Sequence, residues 1–197
     1  MENLDFSSAL TVYKRADWNS KIGMVGEEVD AASLLWRLDM EGQDVSDKWE
    51  KVAEGIGSQG SFGSIPFVNA QLCYALKRGG KHKALQESLA AIEQFTMLQQ
   101  GENQRVWTEV GNSLIQGSLA FADQDYKAVL HYFEPIISQI GCCGGSDAQV
   151  DLFRQAYLKS LIGVGIRGKA QSFLEQMTKG RGMTPLESKW LKESKRL

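Results

Sequence analysis

Histidine, cysteine and proline are scarce in this chain of 197 residues, which contains two, three and three of them. Nucleophilic catalysis usually needs a histidine oriented by a third group, and a zinc site needs several histidines or closely spaced cysteines. His82 follows Lys81 at a predicted helix start and His131 lies within a predicted amphipathic helix, so we expect both on helix surfaces. The sequence therefore predicts no catalytic residue, no metal site and no cofactor, and favours a non-enzymatic protein.

Long apolar runs and a basic leader are also missing. No apolar run reaches the roughly 18 residues that a membrane-spanning helix needs. Met1 is followed by acidic and polar residues rather than by a basic and then apolar signal segment. Three cysteines without repeated spacing are typical of a reducing compartment rather than of a disulfide framework. We therefore expect a cytoplasmic protein with no membrane partner.

Charge is nearly balanced, with a formal net charge of -2, but it is unevenly distributed. The chain up to Phe62 has 12 acidic and 6 basic residues, and the segment from Arg167 onward has 8 basic and 3 acidic residues. Trp190 is the one aromatic residue among the basic residues at the C-terminal end. Nucleic-acid binding usually combines a basic surface with several aromatics, so we predict a solvated last helix and no nucleic-acid partner.

Apolar residues recur at helical spacing along the chain, and almost no segment alternates with a period of two. Clear stripes are formed by Trp49, Val52, Ala53 and Ile56, by Leu85, Leu89, Ile92 and Phe95, by Tyr126, Val129, Leu130, Phe133, Ile136 and Ile137, and by Ala170, Phe173, Leu174 and Met177. Each stripe predicts an amphipathic helix that needs a neighbour. The fold class is therefore all-α.

Helix ends are also readable from the sequence. Ser146 to Gln149 and Thr184 to Glu187 have the pattern of capping boxes, and Pro185 suits the first helical position. Pro135 should end or bend a helix near Glu134. The glycine-rich stretches 55–60 and 163–168 follow no strand, so they predict loops or close approaches of helices rather than phosphate-binding loops, and the second stretch should separate the two helices of a hairpin.

The helices form pairs that repeat weakly. Placing Leu85 over Val129 and Ala170 gives offsets of 44 and 41 residues, within the range of helix-hairpin repeats. Each hairpin exposes an apolar face that the next hairpin can cover. We therefore predict that residues 1–197 form a single domain, a tetratricopeptide-like right-handed α-solenoid of antiparallel helix hairpins.

Several segments occur in one characteristic order. They are AASLLWRLD at 31–39, DVSDKW at 44–49 and GGSDAQVDLF at 144–153, together with Pro66-Phe67, Asp125-Tyr126, Pro135 and Pro185. On these segments the chain resembles the tetratricopeptide repeat protein 38 family from about Phe6 onward. Family members are about twice as long, so the resemblance implies that the chain corresponds to their C-terminal half. It implies a repeat scaffold and no established reaction, cofactor or ligand.

Two positions depart from that family. Members usually carry an acidic residue and a histidine where this chain has Asn69 and Gln71. If the acidic residue and histidine have a chemical role in the family, the resemblance implies that this chain lacks it.

Three polar residues suggest a binding surface. Asn69, Asn112 and Arg154 are separated by 43 and 42 residues, close to the repeat offset. Equivalent positions of stacked hairpins line one concave face, where amides and a guanidinium can bind an extended peptide. We therefore predict a scaffold that binds a protein or peptide partner there, with capping or surface positions as the alternative interpretation of the three residues.

The alternative function is an enzyme or small-molecule binder with its site near the Cys142 to Ser146 loop. Cys142 and Cys143 precede a predicted helix start, where the helix dipole favours a thiolate and hence a reactive thiol. A structural loop is the competing interpretation of the same segment. A separate prediction concerns the N-terminal helix, where Phe6, Leu10 and Tyr13 lie on one side and Val12 and Ala16 on another. This helix looks more like an interior repeat than a cap, so self-association through the N-terminal face is expected.

Overall fold

The computed structural model describes residues 3–15, 25–59 and 65–196, and in these ranges the chain is all-α, as predicted, with no strand. Eleven α-helices occur there. They are α1 (Phe6–Arg15), α2 (Val25–Met40), α3 (Ser46–Gln59), α4 (Pro66–Arg78), α5 (His82–Leu98), α6 (Gly101–Val106), α7 (Asn112–Ala122), α8 (Tyr126–Phe133), α9 (Asp147–Val164), α10 (Arg167–Thr178) and α11 (Pro185–Arg196). A π-helical segment (Trp107–Gly111) joins α6 to α7, and a 3-10 turn (Ile140–Cys143) precedes α9.

The predicted helix ends are largely confirmed. The Thr184 hydroxyl accepts a hydrogen bond from the Glu187 N–H, and the Glu187 carboxylate accepts one from the Thr184 N–H, at 3.2 and 2.8 Å. At the start of α9, the Gln149 side chain accepts a hydrogen bond from the Ser146 N–H at 2.8 Å. Helix α8 ends at Phe133, two residues before Pro135, as expected from the clash that proline makes with the preceding turn.

The two glycine-rich stretches contain both a loop and close helix approaches, the two roles predicted for them. Gly165 follows α9 with a φ of 84°, a left-handed conformation that ends the helix and separates it from α10. In contrast, α3 continues to Gln59, so Gly55 lies within a helix. The remainder of that stretch, beginning at Gly60, lies outside the described residues. Packing against α2 and α4 stabilises α3 beyond the point where the glycines weaken its intrinsic helix propensity.

Helices adjacent in the chain pack as pairs: α2 with α3, α4 with α5, α7 with α8, and α9 with α10. Helices α7 and α8 approach each other closely at Gly117, where an added Cβ would come within 2.2 Å of the Phe133 ring. Only glycine allows that separation. The first helices of successive pairs also pack on one another, since α4 lies against both α2 and α7.

The core centres on Trp36 of α2, which is fully buried. Its ring stacks on Tyr74 of α4 with a centroid separation of 3.7 Å, and the rings of Phe121 (α7) and Phe153 (α9) each lie at 5.8 Å. Such offset and edge contacts are favourable aromatic geometries. Four helices from different pairs therefore converge on one side chain, and α2 contacts α9 directly.

Candidate functional site

A polar groove of about 1060 Å³ lies where α2, α9 and the connection from α10 to α11 meet. We call it the α2–α9 groove. Its charged lining comes from Asp30 and Arg37 of α2, Glu41 directly after α2, Asp147, Asp151 and Arg154 of α9, and Arg181 and Glu187 near the start of α11. Met40, Met177, Leu186 and Trp190 supply apolar surface. Concave sites of this size with a few convergent polar groups are typical of binding sites.

The Glu41 carboxylate holds one wall of the groove in place. It is buried, and one of its oxygens accepts a hydrogen bond from the Trp190 indole N–H at 2.7 Å. The Lys189 ammonium donates to the other oxygen at 2.5 Å, and Lys159 lies 3.4 Å from the carboxylate. Burial alone would lower the pKa of Lys189, but the hydrogen bond and charge of Glu41 raise it overall. This cluster fastens α11 and α9 to α2.

A second ion pair shapes the start of α11. The Arg181 guanidinium donates to both oxygens of Glu187, at 2.9 and 2.5 Å. Burial favours the neutral form of Glu187, but hydrogen bonds from Arg181 and from the Thr184 N–H lower its pKa overall. Since both carboxylate oxygens are engaged, Glu187 stabilises the capped helix and leaves little capacity for another ligand.

Helix α9 contributes the polar residues on the opposite wall. Asp151 is half-buried and its carboxylate accepts a hydrogen bond from Gln155 at 2.5 Å. Burial raises the pKa of Asp151, and the positive charges of Arg37 and Arg154 offset that effect only in part. The Arg154 side chain is exposed and makes no hydrogen bond or ion pair within the described ranges. Its guanidinium can therefore donate to an incoming ligand.

The three predicted partner-binding residues do not share one surface. Asn69 of α4 is buried, with 1% of its surface exposed. Asn112 begins α7 and lines a separate groove of about 550 Å³ between α5 and α7, beside Leu89 and Ile92. Arg154 lies in the α2–α9 groove. Their regular spacing in sequence therefore does not translate into a common face.

Trp36 explains why. The prediction assumed that the first helices of the pairs leave an open concave surface between them. In the structure the Trp36 ring fills the space between α4, α7 and α9, and α2 closes against α9. At the level of Trp36 the predicted concave surface is therefore part of the hydrophobic core. The open α2–α9 groove lies nearer the ends of the two helices.

The two predicted thiols have different environments. Cys142 is exposed and lines a cavity of about 300 Å³ with Arg105 and Glu109. Cys143 is buried, and burial together with the adjacent Cys142 raises its pKa to about 12. Cys143 is shielded from solvent, and a thiol that stays protonated is a poor nucleophile. Cys142 is therefore the one of the pair that a reagent in solution can modify readily. Cys73 is also buried, and burial raises its pKa to about 12.

The remaining expectations concern histidines and the N-terminal helix. His82 and His131 are both exposed on helices, as predicted. On α1, Val12 has 61% of its surface exposed, whereas Tyr13 is buried and Phe6 and Leu10 pack against the core. Self-association through this face stays a prediction.

Sequence reasoning missed most of the groove. Of the groove residues, only Arg154 is among the predicted binding residues, and Asp147 falls within the predicted capping box at 146–149. The spacing of Asp147, Asp151 and Arg154 places them on one face of α9, which is a readable signal. The opposing Asp30, Arg37 and Glu41 lie on α2 or directly after it, more than a hundred residues away in the chain, so no local pattern pairs them with α9.

No helix within the described ranges is long and apolar enough to cross a membrane. Within the same ranges no group of three or more metal-ligating side chains converges. No protein-family model matches the chain, and no solved structure matches it. The resemblance to the tetratricopeptide repeat protein 38 family therefore stays a prediction.

Proposed function

We propose that this chain is a non-enzymatic, tetratricopeptide-like scaffold that binds an extended segment of a protein partner in the α2–α9 groove. The observation that carries the proposal is an open groove of about 1060 Å³ containing an arginine, Arg154, with no hydrogen-bond or ion-pair partner in the described part of the chain. An arginine in such a position donates readily to peptide carbonyls or carboxylates.

The helical pairs support the architectural part of the proposal. Four successive pairs pack with their first helices in contact, as hairpin repeats do. We infer a right-handed α-solenoid wound tightly enough that α2 meets α9, which moves the binding surface from the middle of the concave face to its edge. A reducing, cytoplasmic location belongs to the same proposal, and it is supported by the three free thiols.

Hydrogen bonds join the walls of the groove. Arg37 donates to the Ala148 carbonyl at 2.6 Å and so ties α2 to the first turn of α9. The Glu41 cluster ties α2 to α11. A preformed groove loses little conformational entropy when a ligand binds, which favours measurable affinity for a short segment.

Selection of binders from a random-decapeptide display library tests the proposal. The affinity of each selected peptide is measured by fluorescence anisotropy for the wild-type protein, for Arg154→Ala and for Arg167→Ala. Arg167 is an exposed arginine of α10 outside the groove, so it serves as a matched control. A hydrogen bond to a charged group contributes about 1.5–3 kcal/mol, so Arg154→Ala should weaken binding about tenfold or more.

The control variant should bind with wild-type affinity, and both variants should retain the helical circular dichroism spectrum. If no selected peptide distinguishes Arg154→Ala from Arg167→Ala, the groove is not the binding surface.

A second candidate function is favoured by one observation, the exposure of Cys142 at a cavity of about 300 Å³. A small-molecule site there would give Cys142 an alkylation rate well above that of an ordinary exposed thiol near neutral pH. An ordinary rate would count against that alternative.

A further inference from the structure

We infer that Cys142 and Cys143 form a dithiol site for a trivalent arsenic compound, which both sulfurs bind at the edge of the cavity between the 3-10 turn and the π-helical segment. The inference goes beyond the proposed function and does not depend on the α2–α9 groove. It rests on the adjacency of the two thiols, on their different exposure, and on the size and charge of the cavity beside them.

The two thiols lie side by side in the 3-10 turn that precedes α9. Both are free, and Cys142 is exposed whereas Cys143 is buried. Burial is the main cause of the raised pKa of Cys143, and the Cys142 side chain adds to it through its charge and a hydrogen bond. The two side chains are therefore in contact, so an atom bonded to the Cys142 sulfur lies within reach of Cys143.

The adjacency of the cysteines favours a bridging atom over a disulfide. The Cα atoms of neighbouring residues are about 3.8 Å apart, whereas unstrained disulfides need about 4.4–6.8 Å. A direct S–S bond of about 2.05 Å between Cys142 and Cys143 would be strained and easily reduced. An arsenic atom bonded to both sulfurs lets them stay further apart, so it closes a ring with less distortion of the turn.

Two sulfurs suffice for trivalent arsenic, although they do not suffice for the usual protein metals. A structural zinc site needs four ligands, and no group of three or more metal-ligating side chains converges within the described residues. Arsenic in an aryl arsenical makes three bonds, one of them to carbon, so it takes two thiols from the protein. Cys142 and Cys143 supply that number.

The cavity beside Cys142 can hold the third substituent of the arsenic. Its volume is about 300 Å³, and Val110 contributes apolar surface to it. Arg105 pairs with Glu102 and Glu109 at 3.0 and 3.7 Å, and these two carboxylates and one guanidinium leave the lining with one net negative charge. Such a lining disfavours anionic reagents, whereas trivalent arsenicals are uncharged near neutral pH.

The binding step can be written for phenylarsine oxide. Cys142, which solvent reaches, bonds to the arsenic first, and Cys143 then closes the ring. Two As–S bonds form, and the oxygen of the As=O group takes both thiol protons and leaves as water. Neither arsenic nor sulfur changes its oxidation state, so the step needs no oxidant or reductant.

Titration with phenylarsine oxide, followed by intact-protein mass spectrometry, tests the inference on the wild-type protein and on Cys142→Ala, Cys143→Ala and Cys73→Ala. Cys73 is the matched control, because it is a buried free thiol of α4 with a similarly raised pKa and no adjacent cysteine in the sequence. We expect one arsenical per wild-type molecule. Binding should be about a hundredfold weaker in Cys142→Ala and Cys143→Ala, because the second As–S bond forms within one molecule. Cys73→Ala should bind like the wild type.

Competing thiols distinguish a two-sulfur complex from a single-thiol adduct. Dimercaptopropanol should release the arsenical from the wild-type protein, whereas an excess of glutathione should not. The bound arsenical should also protect Cys142 from iodoacetamide. If circular dichroism shows that Cys143→Ala does not fold, release by the two thiols on the wild type decides the question. Absence of binding, equal binding by Cys142→Ala, or release by glutathione would overturn the inference and leave the proposed function standing.

Discussion

Replacement of Glu41 should release α11 from α2, and two variants separate the charge from the hydrogen bond. Glu41→Gln keeps an oxygen that can accept from the Trp190 indole N–H. It removes the charge that attracts Lys189 and Lys159, which lie 2.5 and 3.4 Å away. Glu41→Leu removes both interactions and leaves the buried Trp190 N–H without an acceptor.

The magnitudes follow from these contacts. A charge-assisted hydrogen bond contributes about 1.5–3 kcal/mol and a neutral one about 1 kcal/mol. Because 36% of the Lys189 side chain is exposed, solvent screens part of the difference. We therefore expect Glu41→Gln to lower the free energy of unfolding by about 1–2 kcal/mol. An unsatisfied buried donor costs about 1–3 kcal/mol more, so Glu41→Leu should lose about 3–4 kcal/mol.

Urea unfolding followed by far-UV circular dichroism measures both values, and Glu50→Gln and Glu50→Leu provide matched controls at an exposed position. In thermal unfolding, each kcal/mol corresponds to about 2–4 °C in Tm for a chain of this size. Amide hydrogen exchange should also show faster exchange in α11 in both Glu41 variants. If Glu41→Leu were as stable as Glu50→Leu, the assignment of Glu41 as the anchor of α11 would be refuted.

Three further outcomes are expected. Gln71→Leu should raise the midpoint of urea unfolding. The Gln71 amide is buried with no hydrogen-bond partner in the described part of the chain, and burial of a polar group without a partner costs about 1–3 kcal/mol. A lower midpoint would contradict this prediction. Iodoacetamide at pH 8–9 should alkylate Cys142 alone in the native protein, and mass spectrometry should find Cys73 and Cys143 modified only after denaturation. The folded state holds the pKa of both buried thiols at about 12, against an ordinary value of 9.0. Each therefore contributes stability below pH 9 that is lost between pH 9 and 12, and Cys73→Ala should reduce that loss in unfolding experiments at several pH values.

Local features of the fold are predictable from the sequence because local chemistry decides them. The Asp125 carboxylate accepts a hydrogen bond from the Ala128 N–H and begins α8, and Pro135 follows its end. Pro185 begins α11 inside a capping box. Each of these signals acts within four residues of the helix end that it determines.

The π-helical segment escapes such reasoning. A stripe through Val106, Val110 and Leu114 is compatible with one continuous helix, and the structure divides it into α6, a π-helical segment and α7. The spacing of four residues between members of this stripe fits either a regular helix or one with a residue added to a turn, so packing decides which of them forms. Gly111 lies in this segment, where a Cβ would come within 2.9 Å of Pro66 in α4.

The groove depends on contacts between distant parts of the chain. Arg37 and Ala148 are 111 residues apart, and Glu41 and Trp190 are 149 residues apart. The repeat offset placed Asn69, Asn112 and Arg154 on one face because it assumed equal rotation from pair to pair. The π-helical segment and the central Trp36 break that regularity, and only Arg154 is left facing the groove.

Contact between α2 and α9 also bears on how the chain folds. In a linear array of repeats each hairpin touches only its neighbours, so terminal hairpins can open while the remainder stays folded. Here Glu41 joins α2 to α11, and Trp36 joins the earliest of the four packed pairs to the last. Fraying of either end would disrupt contacts at the other. Unfolding should therefore be cooperative, and the long loops that must close before Trp36 is buried should make folding slow for an all-helical chain.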